Sequence, residues 1–313
     1  MDGDGDLDHA VADALEFPSD SRMETAVLAN GLRVEYARHG DASAPEKIVL
    51  LMGLAAQKEA WLPVVAAFFR VPGNRARFEI LTPDNRGAGG TAGPRGRYKT
   101  SEMAQDTLQL LDHLGWGRVH LAGVSMGGMI SQELAHAAPD RVLSLALLVT
   151  TPGFLEAPWP GWSQITAYLS IIRNFFVTTL HARTMLLMGV LYPAAFLTQH
   201  AATAAALYTI HSERLKLARR QPAGLMGQYA AVLTHRMSSA RLGEIQQAGF
   251  PILVLGAGQD RLLHVSHSRV LGERLRAPRT KTIIADASGH GMHMQFRSAV
   301  VAALTVHFSS TRA

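Results

Sequence analysis

An apolar run from Val119 to Val124 ends on Ser125, which has Gly123 two residues before it and Gly127 two residues after it. The run has strand composition, and Met129 to Ala138 reads as a helix, so the serine falls at a strand-to-helix turn. Such a turn strains the serine backbone. Only glycine at 123 and 127 lets strand and helix approach without a Cβ clash. The pattern is that of a nucleophile elbow, with the hydroxyl projecting above a sheet and the positive end of a helix beneath it.

The rest of the chain supplies the sheet. Thr25 to Ala29 and Leu32 to His39 read as antiparallel edge strands joined through Asn30-Gly31, a strong hairpin signal. Further strands are expected over Lys47 to Met52, Phe78 to Pro83, Val119 to Val124, Val142 to Val149, Pro251 to Gly256 and Thr280 to Ala285. Helical patterns fall between them at about Glu59 to Phe69, from a Thr100 or Ser101 cap to Leu114, Ser266 to Leu275 and Gln295 to Phe308. This alternation predicts an α/β fold: an eight-stranded, mostly parallel sheet with helices on both faces.

The alternation stops at Thr151-Pro152 and resumes after Met237, with only helical patterns between. Four segments follow: a disordered acidic tail over 1–22, a first core part over 23–151, a helical cap over 152–237 and a second core part over 238–313. Trp159, Trp162, Tyr168, Phe175, Phe176, Met185, Leu187, Met188, Tyr192 and Phe196 crowd the cap. Most are expected in its own core, and a minority facing a pocket would make an apolar acyl or alkyl site.

Charge and composition exclude several classes. There is no cysteine, which removes disulfides, thiolate metal sites and cysteine nucleophiles. Residues 1–20 carry seven acids and no Lys or Arg, leaving 30 basic against 18 acidic side chains, a net +12, in the remainder. The arginines are scattered without a nucleic-acid module, so no nucleic-acid partner is expected. Asp2, Asp4, Asp6, Asp8 and Asp13 imitate calcium-loop spacing, but Leu7 stands where glycine is needed. His290 with His293, and His264 with His267, lack the further ligands of a metal site, and no cofactor is implied. Neither a secretory signal nor a transit peptide is recognised, and the reading is cytoplasmic. Thr184 to Ile210 holds no Asp, Glu, Lys or Arg; it reads as paired cap helices rather than a span, with peripheral membrane contact through the cap left open.

A serine hydroxyl needs a base, and the base an acid that orients it. The strand at 251–256 leads into Gly258-Gln259-Asp260, and the strand at 280–285 into Ser288-Gly289-His290-Gly291. Asp260 and His290 therefore stand on loops at the same sheet edge as Ser125, in the chain order Ser, Asp, His. Asp286 and His293 are the second choices. Backbone donors for an oxyanion are expected at Met126, which follows the serine, and at Leu54, where Gly53 keeps the approach open.

Gly123-Val124-Ser125-Met126-Gly127-Gly128-Met129, Asp84-Asn85-Arg86-Gly87-Ala88-Gly89, Gly256-Ala257-Gly258-Gln259-Asp260 and Gly289-His290-Gly291 together resemble the α/β-hydrolase superfamily, from about Met23 to the C-terminus. Within it the chain is similar to capped serine esterases, lipases and cofactor-free haloperoxidase-like members. The resemblance implies Ser125 as nucleophile, Asp260 as acid, His290 as base, and Leu54 and Met126 at the oxyanion positions. Met52-Gly53 stands where relatives often carry His-Gly. Serine at 125 disfavours the dehalogenases and epoxide hydrolases, which use aspartate there. The expected function is cleavage of small carboxylic esters with a hydrophobic portion through an acyl-enzyme. The alternatives are transfer of the acyl group to peroxide or an alcohol, and a ligand-binding protein with little turnover.

Overall fold

Eight strands pair into one sheet in the computed structural model, which describes residues 11–174, 177–219 and 221–312. They are β1 (Arg22–Val27), β2 (Arg33–His39), β3 (Glu46–Leu51), β4 (Phe78–Pro83), β5 (Val119–Val124), β6 (Val142–Leu148), β7 (Ile252–Ala257) and β8 (Thr280–Ala285). Their spatial order is β1-β2-β4-β3-β5-β6-β7-β8. β2 is antiparallel to both β1 and β4, and every other neighbouring pair is parallel. Gly31, at φ 81°, makes the first hairpin turn. β1 starts earlier than the Thr25 expected from the sequence because Arg22 already pairs with Arg38.

The longer helices are α1 (Leu62–Arg70), α2 (Thr100–His113), α3 (Met126–Ala137), α4 (Trp162–Asn174), α5 (Leu180–Leu191), α6 (Ala194–Gln199), α7 (Ala201–Leu217), α8 (Pro222–Thr234), α9 (Ser239–Gln247), α10 (Val265–Arg274) and α11 (Arg297–Ser309). Lys99 takes the flanking position of α2, with Glu102 Oε2 accepting from its N–H at 3.1 Å. The expected cap residue Thr100 lies inside the helix, its hydroxyl facing Nδ1 of buried His235 at 2.8 Å.

Side-chain alternation divides the core between the two faces of the sheet. Ile48, Leu50, Ala122 and Val124 pack with Phe68 of α1 and Leu304 and Phe308 of α11. Val49, Leu51, Val119 and Leu121 pack with Leu111 of α2, Ile130 of α3 and Leu271 of α10. β4, β5 and β7 are buried along their whole length, as strands covered on both sides must be.

Between β6 and β7 the described residues form helices α4 to α9 and loops, without a strand. The uncharged stretch from Thr184 breaks at Pro193 and His200, where α5, α6 and α7 meet end to end. No helix among the described residues is long and apolar enough to cross a membrane.

The expected acidic tail lies outside the described residues over 1–10, and over 11–22 it is ordered. Residues 11–15 are helical. Asp13 Oδ1 accepts from Arg70 Nη2 at 2.6 Å, Asp20 pairs with Arg75, and Phe17 stacks on His39. The basic body supplies the partners that hold this segment down.

Candidate active site

From Val119 to Ala135 every residue is buried except Ser125. Its φ of 54° is a left-handed backbone that non-glycine residues seldom adopt. The strain is held by packing on both sides: Ser125 N–H donates to Leu148 O at 2.9 Å, and Thr150 Oγ1 donates to Ser125 O at 2.7 Å. A Cβ on Gly127 would overlap the Leu51 carbonyl, and one on Gly123 would overlap the carbonyl of Gly127. Strand and helix therefore touch through their backbones at the elbow. Gly127→Ala is expected to destabilise the fold by about 3 kcal/mol or more, since backbone on both sides must shift. Thermal unfolding of the variant measures this.

Gly53 lies against the serine, since its added Cβ would sit 3.2 Å from Ser125 Cβ. Leu54 follows on the same loop. Met126 opens α3, so its N–H points out of the helix start without an intrahelical acceptor. The loop is fixed from below by Asn85, whose Nδ2 donates to Met52 O at 2.8 Å. It is fixed from the insertion by Gln228 of α8, whose side chain is fully buried. Gln228 Oε1 accepts from Ala55 N–H at 2.9 Å, and its Nε2 donates to Arg86 O at 2.9 Å. Ala55 itself stands at φ 59°.

The glycine-rich loop after β4 is organised by charge. Asp84 accepts from Lys58 Nζ at 2.9 Å, from Lys58 N–H at 2.7 Å and from Gly90 N–H at 2.8 Å. Lys58 also contacts Glu35 at 2.6 Å and Glu59 at 3.1 Å. Burial opposes its charge, yet these carboxylates hold the ammonium well above its ordinary pKa. Arg86 grips Asp106 with two bonds of 2.6 Å. Lys58, Asn85, Arg86 and Gln228 have no role in the reading of the residues alone. The charged loop motif was a signal for Asn85 and Arg86, whereas Lys58 and Gln228 carried none.

The structure brings Asp260 and His290 together. Asp260 follows β7 and His290 follows β8, both buried, with Asp260 Oδ2 2.7 Å from His290 Nδ1. The other carboxylate oxygen accepts from Leu262 N–H at 2.7 Å and Leu263 N–H at 2.9 Å, which sets the acid's orientation. A carboxylate facing Nδ1 requires the proton on that nitrogen, leaving Nε2 as the basic one. The second choices stand apart from this pair. Asp286 is solvent-exposed. His293 is a core residue whose ring lies tilted against Trp61, centroids 5.7 Å apart, and burial pushes its pKa down to about 3. His264 and His267, weighed as a metal pair, make hydrogen bonds with Ser266 and Thr151.

The insertion reaches the loops of both residues. Gln164 Nε2 of α4 donates to Asp260 O at 2.8 Å, and Tyr168 OH donates to Leu262 O at 2.7 Å. Leu191 O at the end of α5 accepts from Gly291 N–H at 2.9 Å. Of the cap aromatics, Tyr192 is buried against Gly291, whereas Trp159 and Trp162 face solvent rather than the cap core. Phe175 and Phe176 lie outside the described residues.

Comparison with known proteins agrees with this fold. The chain is 27% identical over 263 residues to a poly(3-hydroxyalkanoate) depolymerase of Ectopseudomonas oleovorans, covering 83% of each chain. It is 27% identical over 259 residues to the RutD protein of Agrobacterium fabrum, provisionally named a carbamate hydrolase, covering 82% of this chain and 90% of that one. Among solved structures, the enol-lactonase from Burkholderia xenovorans LB400 superposes with a TM-score of 0.71 at 21% identity, over 91% of this chain and all of that one. The sequence profile of the alpha/beta hydrolase fold matches residues 47–296. With that match over most of its length, the chain belongs to the alpha/beta hydrolase fold family.

Proposed function

We propose that the protein is a serine hydrolase of carboxylic esters with a hydrophobic portion. In this reading His290 Nε2 takes the proton of the Ser125 hydroxyl as Oγ attacks the ester carbonyl. Negative charge on the carbonyl oxygen is met by the N–H groups of Met126 and Leu54. His290 then returns the proton to the departing alkoxide, leaving an acyl group on Oγ. Water, deprotonated by the same nitrogen, releases the acid and restores the serine. Asp260 holds the imidazole in the required tautomer and stabilises its charged form.

The observation that carries this reading is the Asp260–His290 pair, buried, 2.7 Å apart and fixed through the acid's second oxygen. Its loops leave the same sheet edge as the elbow. The name of the depolymerase relative points to ester bonds. That of RutD favours a second carbonyl class, carbamates, which the same machinery could attack.

Matched p-nitrophenyl esters of increasing acyl length, with the corresponding carbamate, separate the two. The ester is expected to have at least about tenfold higher kcat/KM, rising with acyl length. A carbamate preferred over every ester would overturn the ester assignment.

Gln228 should matter through the loop it holds. Gln228→Ala leaves the Ala55 N–H and the Arg86 carbonyl without their partner, a loss of about 1–3 kcal/mol in stability. It is expected to lower kcat about 10-fold to 100-fold with KM changed less than about threefold, because a displaced donor acts on the transition state. Gln228→Glu keeps an acceptor for Ala55 and should recover part of kcat. Steady-state kinetics with a melting curve for each variant check this; a fall in stability without a fall in kcat would contradict it.

A further inference from the structure

Helix α4 turns one face to the fold and a second, apolar face to solvent. Its inner face holds buried Gln164 and Ala167 with half-buried Tyr168, which reach toward the Asp260 loop. Its outer face carries Trp162, Ile165, Leu169 and Arg173, each about a turn from the last and all exposed. Trp162 is 78% exposed and Leu169 59%. The segment leading into the helix adds Trp159 at 81% and Leu155 at 74%. A solvent-facing helix stripe is ordinarily polar, so one built from Trp162, Ile165 and Leu169, with Trp159 exposed just ahead of the helix, marks an interaction surface.

Charge indicates what the surface meets. From Ala157 to Ser212 the chain has no Asp or Glu, while Arg173 and Arg183 lie within the same stretch. Tryptophan at the rim of an apolar stripe, with arginine on the same face and acids excluded, is the composition of a helix that lies in a lipid–water interface.

We propose that the outer face of α4 docks on an anionic lipid bilayer. Trp159, Trp162, Ile165 and Leu169 enter the boundary between headgroups and acyl chains, and Arg173 pairs with lipid phosphate. The inference deepens the proposed function, because an ester with a hydrophobic portion partitions into the same layer. The docking surface itself does not depend on that function.

Intrinsic fluorescence of the full chain tests it. Of the four tryptophans, Trp61 and Trp116 are buried, so Trp159 and Trp162 dominate any change on binding. Vesicles of phosphatidylcholine with phosphatidylglycerol are expected to shift the emission to the blue and to carry the protein with them on flotation. Phosphatidylcholine alone should do so less. The double variant Trp159→Ser/Trp162→Ser is expected to lower vesicle partitioning about tenfold or more by flotation, and Arg173→Glu to weaken binding to the anionic vesicles. Melting temperature and turnover of a water-soluble short ester should stay unchanged in these variants, since the side chains face solvent. Ser125→Ala should bind vesicles as well as the native chain, which keeps failure of docking distinct from failure of the ester reading. No shift and no flotation with anionic vesicles would overturn the proposal. So would lipid-independent self-association abolished by the tryptophan variant, which would assign the face to a second copy.

Discussion

Ser125→Ala is expected to lower kcat for a short p-nitrophenyl ester by about 10⁴-fold to 10⁶-fold, with KM changed little. The hydroxyl at 125 is the proposed nucleophile, and it belongs to the one residue from Val119 to Ala135 that is not buried. Whatever rate survives should come from the oxyanion donors and from binding alone. His290→Ala should cost a similar factor, and the double variant no more than either, because the two groups act in one step. Asp260→Asn should lose up to about 10⁴-fold in kcat, since an amide that donates toward Nδ1 favours the wrong tautomer. Folding should persist in Ser125→Ala, because alanine places the same Cβ at φ 54° and only the hydroxyl is lost. Steady-state rates and melting curves measured together check all four variants. Additive losses in the double variant would show that the residues do not act as a unit.

The second large effect is on stability in acid. Burial pushes His39, His211, His235, His293 and His307 down to about 3. An unfolded histidine titrates near 6.5, so between about pH 3 and 6.5 the unfolded chain binds protons that the folded chain excludes. Stability is therefore fully present above pH 6.5 and is lost as pH falls. Each of these histidines should cost about 1.4 kcal/mol at pH 5.5, and the five together about 7 kcal/mol, comparable with the whole stability of an ordinary domain. Chemical denaturation at pH 7.5 and pH 5.5 measures the difference. His39 sits between Ser21 Oγ at 2.7 Å and Thr82 Oγ1 at 2.9 Å, so His39→Gln, which keeps polar partners and cannot be charged, should flatten part of the pH dependence. Equal stability at the two pH values would contradict this account.

The inner strands of the sheet were legible because they are covered on both sides, and the edge strand β8 because it is a short β-branched run. β4, β5 and β8 fall on the residues that their apolar runs mark, and the remaining strands differ by a few residues at their ends. The elbow was legible for a related reason: glycine at 123 and 127 answers a backbone contact that no other residue allows. Asp260 and His290 could be placed from chain order because parallel strands send every following loop to one edge. What the sequence hid depends on contacts between distant segments. Gln228 looks like any helix-former until α8 is seen against Ala55 and Arg86. The segment 11–22 looked like a solvated tail because its acids have no local partners; they find Arg70 and Arg75 across the fold. Trp159 and Trp162 looked like cap core because hydrophobicity alone does not say which face of α4 turns inward.

The central claim is that Ser125 is activated to attack carbonyl carbon by the histidine that Asp260 orients. Its most direct measurement is peptide mapping by mass spectrometry after reaction of the native chain with a fluorophosphonate. A single phosphonyl adduct on Ser125 is predicted, absent in Ser125→Ala and formed far more slowly in His290→Ala. An adduct on another residue, or an unmodified Ser125 in a protein that still hydrolyses esters, would contradict it.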